Sequence, residues 1–143
     1  GTPIDGVERF WRNLIAGCAS CRFHRPTSGI GLNETAKACI MAARRIESLV
    51  KLWDIESHIE LLSDRQPDEA YLAARPGEQY VLFFTDGGSV GLDLKACPGT
   101  FALQWVNIQT GDWGPKADVS GGKIVTVEAP TKGPWAAAIT KKS

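Results

Sequence analysis

The sequence GTFALQWVNIQTGDW, residues 99–113, alternates apolar and polar or small side chains and then breaks at a turn. Phe101, Leu103 and Trp105 occupy every second position, which is the spacing that places side chains on one face of a β-strand. The Thr-Gly-Asp tripeptide that follows is rich in turn-forming residues. The stretch therefore predicts a strand at 100–108 with one face in a core, followed by a tight turn.

The rest of the second half of the chain carries the same pattern. Apolar alternations are separated by turn residues, such as Pro76-Gly77 and Gly121-Gly122, at intervals of roughly 8–12 residues. The further predicted strands are 69–75, 79–85, 89–94, 122–129 and 135–141, with 115–119 as the candidate for a seventh. Short strands joined by tight turns are typical of an antiparallel β-sandwich. We therefore expect six or seven strands in two sheets, with Trp105 and Trp135 in the core.

Residues before position 63 have a helical pattern instead. Apolar side chains recur three and four positions apart in 5–16 and again in 33–53, which predicts two helices. The segment 18–23 between them is rich in small residues and predicts a short buried strand. A further short helical turn is expected at 55–62. The fold class predicted for the whole chain is therefore α+β, a helix–strand–helix segment followed by an antiparallel β-sandwich.

The change of pattern predicts a domain boundary between residues 1–62 and 63–143. The first of these segments has a single predicted strand, and one strand cannot form a sheet. Its apolar helix faces and the unpaired edges of 18–23 need cover. We expect that cover to come from the missing part of a larger α/β domain, from docking onto the sandwich, or from a homo-oligomer.

Composition argues against several classes of protein. The chain has 143 residues, of which 43% are hydrophobic and 22% are charged, so a packed core is expected and disorder is not. The 16 basic and 16 acidic side chains balance, which argues against a nucleic-acid partner. No apolar run approaches the ~18 residues that a membrane span needs, so no membrane partner is expected.

Four cysteines leave metal and redox chemistry as weak hypotheses. Cys18 and Cys21 form a Cys-x-x-Cys pair, which occurs in zinc sites and in redox-active sites. No second pair lies near it, and His24 and His58 lack the spacing of metal ligands, so we favour small buried residues in a strand. We therefore expect no metal and no cofactor. The cysteines fit either redox setting, so the compartment stays undetermined.

Five strings in the second half carry a resemblance to a known family. In chain order they are EAYLAARPGEQYVLFF, GGSVGLDL, GTFALQWVNIQTGDW, GGKIVTVEAP and GPWAAAI. This ordered set resembles the C-terminal β-domain of apiosidase-like glycoside hydrolases, a domain that is often labelled the collagen-binding domain of a collagenase. Residues 10–40, FWRNLIAGCASCRFHRPTSGIGLNETAKACI, resemble the last helix–strand–helix passage of the catalytic barrel in the same family.

The resemblance implies a (β/α)-barrel glycosidase of which this sequence holds the C-terminal portion. Such enzymes hydrolyse glycosides with a pair of carboxylates, which the resemblance assigns mainly to barrel strands absent from this sequence. The acidic residues at 54–60 and 64–69 are better explained as solvated surface charge. No catalytic residue is therefore expected in this chain, and we expect it to be inactive alone.

Three residues are candidates for substrate binding. If 18–23 is a barrel strand, His24 and Arg25 follow its carboxyl end, where barrel enzymes form their active sites. There they would hydrogen-bond sugar hydroxyls or tune a carboxylate, whereas a structural ion pair and packing on proline are the alternative. Trp113 lies in a turn-rich segment and is the best candidate for an exposed ring.

The expected function is that of an accessory β-sandwich that packs on a glycosidase barrel and contacts polysaccharide or glycan. The alternative is a stand-alone carbohydrate- or protein-binding sandwich, in which the helical segment covers a sheet or forms an oligomer.

Overall fold

The computed structural model describes residues 11, 12, 15, 34–66 and 69–142. Trp11, Arg12 and Ile15 are helical, and one longer helix, α1, spans Glu34–Glu47. Nine strands follow it: β1 Glu56–Ser57, β2 Leu62–Ser63, β3 Ala70–Arg75, β4 Gln79–Phe84, β5 Ser89–Asp93, β6 Thr100–Asn107, β7 Trp113–Ser120, β8 Ile124–Glu128 and β9 Trp135–Lys141. The predicted α+β class is confirmed. The strand predicted at 18–23 lies outside the described residues.

The strands form two antiparallel sheets. The larger has six strands in the order β1-β3-β4-β9-β6-β7, and the smaller has three in the order β2-β5-β8. The seven strands from β3 to β9 include the seventh candidate, which is longer than predicted. The two-residue strands β1 and β2 were not predicted, because their side chains are exposed or half-buried and give no apolar alternation. Each adds a short strand to a sheet of the sandwich. The domain boundary after residue 62 stays a prediction.

The main core lies between the two sheets. It contains Phe101, Leu103 and Trp105, which the sequence assigned to one face of β6, together with Val90 and Leu92 of β5. Trp105 and Trp135 are both buried, as predicted, and their rings meet edge to face with centroids 6.1 Å apart. Such aromatic pairs contribute about 0.5–1.5 kcal/mol beyond the burial of their area.

A second core lies on the opposite face of the six-stranded sheet, which we call the helix-side face. Cys39, Ala42 and Ile46 of α1 are fully buried there. They pack with strand side chains that include Ala136 and Ala138 of β9. The small side chains of β9 allow the helix to approach closely. The central strands are thus buried on both faces, which explains why the sequences of β4 and β9 are almost continuously apolar.

Helix α1 ends at Glu47, earlier than the predicted end near residue 53. Residues Leu52–Asp54 form a separate 3₁₀ turn, and the chain between the two is held by another part of the molecule. The Gln79 side chain accepts a hydrogen bond from the Lys51 backbone N–H and donates one to the Lys51 carbonyl, both at 3.1 Å. The helix has already ended before this contact, and the extended Lys51 also accepts a 3.0 Å hydrogen bond from the Asp54 N–H, which closes the 3₁₀ turn. Residues 55–62, predicted as one helical turn, form two short strands around a 3₁₀ turn at Ile59–Leu61.

Candidate functional site

The structure describes one of the three predicted site residues. His24 and Arg25 lie outside the described residues. Trp113 begins β7, and its exposed fraction is 45%. It is the only aromatic residue among the large exposed apolar side chains in the described part of the chain. Its exposure therefore agrees with the prediction, whereas its role in binding stays a prediction.

Helix α1 and the turn before β7 hold the Trp113 ring. The Arg45 guanidinium lies over the ring, 5.0 Å from its centroid, which is within the range of a cation–π contact. Arg45 Nε also donates a 2.8 Å hydrogen bond to the Gly111 carbonyl. One face of the indole is thus in contact with a cation.

The turn fits closely against α1, and Gly111 makes this fit possible. Its φ is +82°, in the left-handed region. A Cβ at this position would lie 3.0 Å from the Ala38 carbonyl oxygen and 3.0 Å from the Met41 Cβ. A larger residue would therefore push the turn, and Trp113 with it, away from the helix.

A groove of about 480 Å³ lies on the helix-side face of the sheet, in the volume range of small-molecule sites. Its walls come from the segment after α1 and from strands β6, β7 and β9, with Lys142 just beyond β9. The lining residues are Leu49, Ala102, Leu103, Gln104, Lys116, Ala117, Asp118, Ala138, Thr140 and Lys142. The groove lies where α1 no longer covers the sheet. Trp113 projects from the same face, because it pairs with Val106, a member of the helix-side core.

Gln104 forms the most buried polar part of the groove, with an exposed fraction of 8%. The pairing of β6 with β7 changes register between Gln104 and Val106. The Gln104 Nε2 donates to the carbonyl oxygens of Trp105 at 2.7 Å and Gly114 at 2.9 Å, and more weakly to Pro115 at 3.5 Å. The side chain thus binds backbone carbonyls at the point where the pairing of β6 with β7 is irregular.

The other end of the Gln104 amide, the acceptor Oε1, has no partner among the residues that the structure describes. Because carbonyl oxygens surround its NH₂ group, its Oε1 faces the other way. This oxygen accepts no hydrogen bond from any residue within the described ranges. The oxygen is not fully buried, so it keeps contact with solvent.

The charges at the rim of the groove do not cancel. Lys142 Nζ lies 2.9 Å from Asp118 Oδ1, so these two form an ion pair. Lys116 is exposed and has no carboxylate partner in the part of the chain that the structure describes. The groove therefore carries one positive charge in excess.

The acidic residues elsewhere do not form a hydrolytic pair at this groove. Glu56 and Glu60 are exposed near β1, as expected for surface charge. The Glu60 carboxylate lies 2.6 Å from the His58 Nδ1, and this hydrogen bond lowers the pKa of Glu60. Within the described ranges, no three His, Cys, Asp or Glu side chains cluster so as to hold a metal ion. No helix among these residues has the length and hydropathy of a membrane span.

Sequence reasoning missed Gln104, Lys116 and Arg45. Pro115 was the available signal for the first two, because proline within a strand pattern indicates a sheet edge or a bulge. β7 is an edge strand of the six-stranded sheet, and the register change lies opposite this proline. No local signal identified Arg45, whose contact with Trp113 joins residues 68 positions apart (113 − 45).

Comparisons with known proteins find a similar architecture within two solved structures. No family model and no curated protein matches the chain. A crystal structure of a glycoside hydrolase family 5 protein from Bacteroides vulgatus ATCC 8482 matches 99% of this chain with a TM-score of 0.73 and 10% identity. A second structure, described as a glycoside hydrolase, matches 71% of it with a TM-score of 0.58 and 6% identity.

This likeness establishes the fold. The chain spans 36% of the length of the first structure and 24% of the second. The match to the first protein takes in nearly the whole chain, the helical segment together with both sheets. At these identities it does not extend to activity or to particular residues.

Proposed function

We propose that this chain is an accessory module of a glycoside hydrolase-like protein, in which the β-sandwich packs on a (β/α) barrel and contacts glycan. The observation that carries the proposal is the match of 99% of this chain to about a third of a glycoside hydrolase family 5 structure. The resemblance to the C-terminal portion of apiosidase-like enzymes supports the same role.

The glycan contact is assigned to the helix-side face around Trp113. An exposed indole beside a groove of about 480 Å³ offers an apolar platform next to polar groups. Sugar rings present C–H groups on one side and hydroxyls around the edge, so they need both kinds of surface. Trp113 supplies the platform, and the groove supplies hydrogen-bonding groups.

The proposal assigns binding, and not hydrolysis, to this chain. The chain should give no turnover in a screen of aryl glycosides and plant polysaccharides. Robust turnover by the 143 residues would contradict the accessory role.

Affinity electrophoresis in gels that contain neutral or acidic polysaccharides tests the glycan contact. The wild-type chain should be retarded by at least one of them. Trp113→Ala should lose most of the retardation, whereas Trp113→Phe should keep part of it, because phenylalanine retains an aromatic face. Unchanged migration of all three proteins in every gel would contradict the proposal.

The alternative is a stand-alone module whose partner is a protein, for which the resemblance names collagen. A collagen pull-down separates the two hypotheses. Retention of the wild-type chain on collagen, without retardation by any polysaccharide, would favour this alternative.

A further inference from the structure

The groove on the helix-side face combines apolar walls with polar groups that have no partner among the residues that the structure describes. Leu49, Ala102 and Ala138 supply the apolar part. A ligand that occupies this groove therefore meets hydrocarbon on the walls and an uneven set of donors, acceptors and charges at the floor and rim.

The acceptor at the floor selects a ligand with a donor. Gln104 is more than nine-tenths buried, and its Oε1 accepts no hydrogen bond from the residues that the structure describes. The amide cannot turn around to use its NH₂ group here, because that group already donates to the carbonyls of Trp105 and Gly114. A hydroxyl group of a ligand would satisfy this oxygen, and Thr140 beside it can either donate or accept.

The charge at the rim selects an anion. Asp118 is already paired with Lys142, so it does not neutralise Lys116. The Lys116 ammonium lies on an edge strand, and the Gln104 acceptor lies at the floor of the groove. This pair suits a ligand that has hydroxyls on one side and a carboxylate on the other. A neutral sugar would leave Lys116 unpaired.

We propose that this groove binds a hexuronate residue of an acidic polysaccharide. The Lys116 ammonium contacts the uronate carboxylate, Gln104 Oε1 accepts from a ring hydroxyl, and Leu49, Ala102 and Ala138 contact the C–H side. This inference rests on the proposed glycan-binding function and adds to it the class of sugar. The neighbouring Trp113 would contact a further residue of the same polymer.

Calorimetric titration of the full chain with oligogalacturonate and with a neutral xylo-oligosaccharide of equal length tests the inference. The wild-type chain should bind oligogalacturonate at least about tenfold more tightly, because an ammonium–carboxylate contact strengthens a hydrogen bond. Lys116→Gln should abolish that preference, and Lys116→Arg should keep it. Raising the salt concentration should weaken the binding of oligogalacturonate and leave the binding of the neutral oligosaccharide unchanged.

Two further variants sharpen the test. Asp118→Asn removes a negative charge from the rim and should strengthen binding of oligogalacturonate a few-fold. Lys123→Gln removes an exposed lysine that lies outside the groove lining and should change neither ligand's affinity. Gln104 is not substituted, because its amide also stabilises the irregular pairing of β6 with β7.

The outcomes separate this inference from the proposed function. Binding of neutral glycans without a preference for oligogalacturonate would leave the glycan-binding role intact and refute the uronate assignment. Binding of neither oligosaccharide would refute the uronate assignment, and unchanged migration in every polysaccharide gel would refute the glycan-binding role as well. If neither Lys116→Gln nor Asp118→Asn changed the affinity for oligogalacturonate, the acidic ligand would bind elsewhere, and the uronate assignment would be refuted. If Lys116→Gln changed the self-association of the chain and left its affinity for both ligands unchanged, the groove would be a contact between protein chains, and the uronate assignment would be refuted.

Discussion

The guanidinium of Arg45 lies over the ring of Trp113, 5.0 Å from its centroid, and joins the last turn of α1 to the start of the edge strand β7. The same side chain donates to the Gly111 carbonyl at 2.8 Å. One residue thus fixes both the turn before β7 and the most exposed described aromatic ring. The contact links the helical segment to the surface on which we propose that glycan binds.

Arg45→Ala should destabilise the fold and release Trp113. Loss of a charge-assisted hydrogen bond and a half-exposed cation–π contact should cost about 1–2 kcal/mol in free energy of unfolding. The fluorescence of Trp113 should change in the folded state. Urea titration measures the first effect and emission spectra the second. Arg44→Ala is the matched control, because Arg44 is exposed on the same helix. Equal effects of the two variants would contradict the assigned role of Arg45.

Gly111→Ala and Gly122→Ala separate backbone strain from a steric clash. Both glycines have φ of +82°, so both substitutions carry a left-handed penalty of roughly 1 kcal/mol. A Cβ at Gly111 would also meet atoms of Ala38 and Met41 at 3.0 Å, whereas at Gly122 nothing lies within 4 Å. The Gly111 variant should therefore lose about 1–3 kcal/mol more in chemical denaturation. A smaller loss at Gly111 than at Gly122 would show that α1 is not packed against this turn.

Ile46→Ala tests whether α1 belongs to the cooperative fold of the sandwich. Ile46 is fully buried in the second core, so the substitution should cost about 2–5 kcal/mol. Arg44→Ala, on the exposed side of the same helix, should have little effect. Thermal unfolding followed by near-ultraviolet circular dichroism, which reports on the aromatic residues, measures both. If Ile46→Ala left the sandwich transition unchanged, α1 would be an independent appendage.

Tyr80 should make stability fall at alkaline pH. Its fully buried hydroxyl donates to or accepts from Cys97 Sγ at 3.5 Å and accepts a hydrogen bond from the Gly77 backbone N–H. Burial first, and then the contact with Cys97, raise the pKa of Tyr80 to about 12 from its ordinary value near 10. The folded state therefore holds the phenolic proton where the unfolded state has released it. The stability is fully present below pH ~10 and is lost as the pH rises from there towards 12.

Absorbance titration near 295 nm checks this prediction. The chain has two tyrosines, so Tyr71→Phe leaves Tyr80 as the only phenol that titrates. Its midpoint should lie near pH 12 in the folded protein and near 10 in denaturant. Tyr80→Phe should remove this part of the alkaline loss of stability. A midpoint near pH 10 in the folded Tyr71→Phe variant would refute the burial argument.

The strands of the second half of the chain were predictable because each is marked by residues that are close together in the sequence. Alternation in β6 and glycine-containing turns identify strands without knowledge of their partners, and the predicted face of β6, which holds Phe101, Leu103 and Trp105, lies in the main core. The end of α1 was not predictable in this way. Lys51 lies within the predicted helix, but its extended backbone is bound by the side chain of Gln79, 28 positions away, and no local pattern reveals that contact.

The amino-acid sequence alone determined the α+β class, the order of the strands along the chain and the exposure of Trp113. These follow from the period of two in strands, the period of 3.6 in helices and the residues that turns require. Only the tertiary structure decided the second core and the groove. The apolar alanines of β9 do not specify what covers them, and Gln104 resembles any outward-facing strand residue. Their roles arise because α1 covers only part of the helix-side face, which leaves the rest of that face open beside the edge strand.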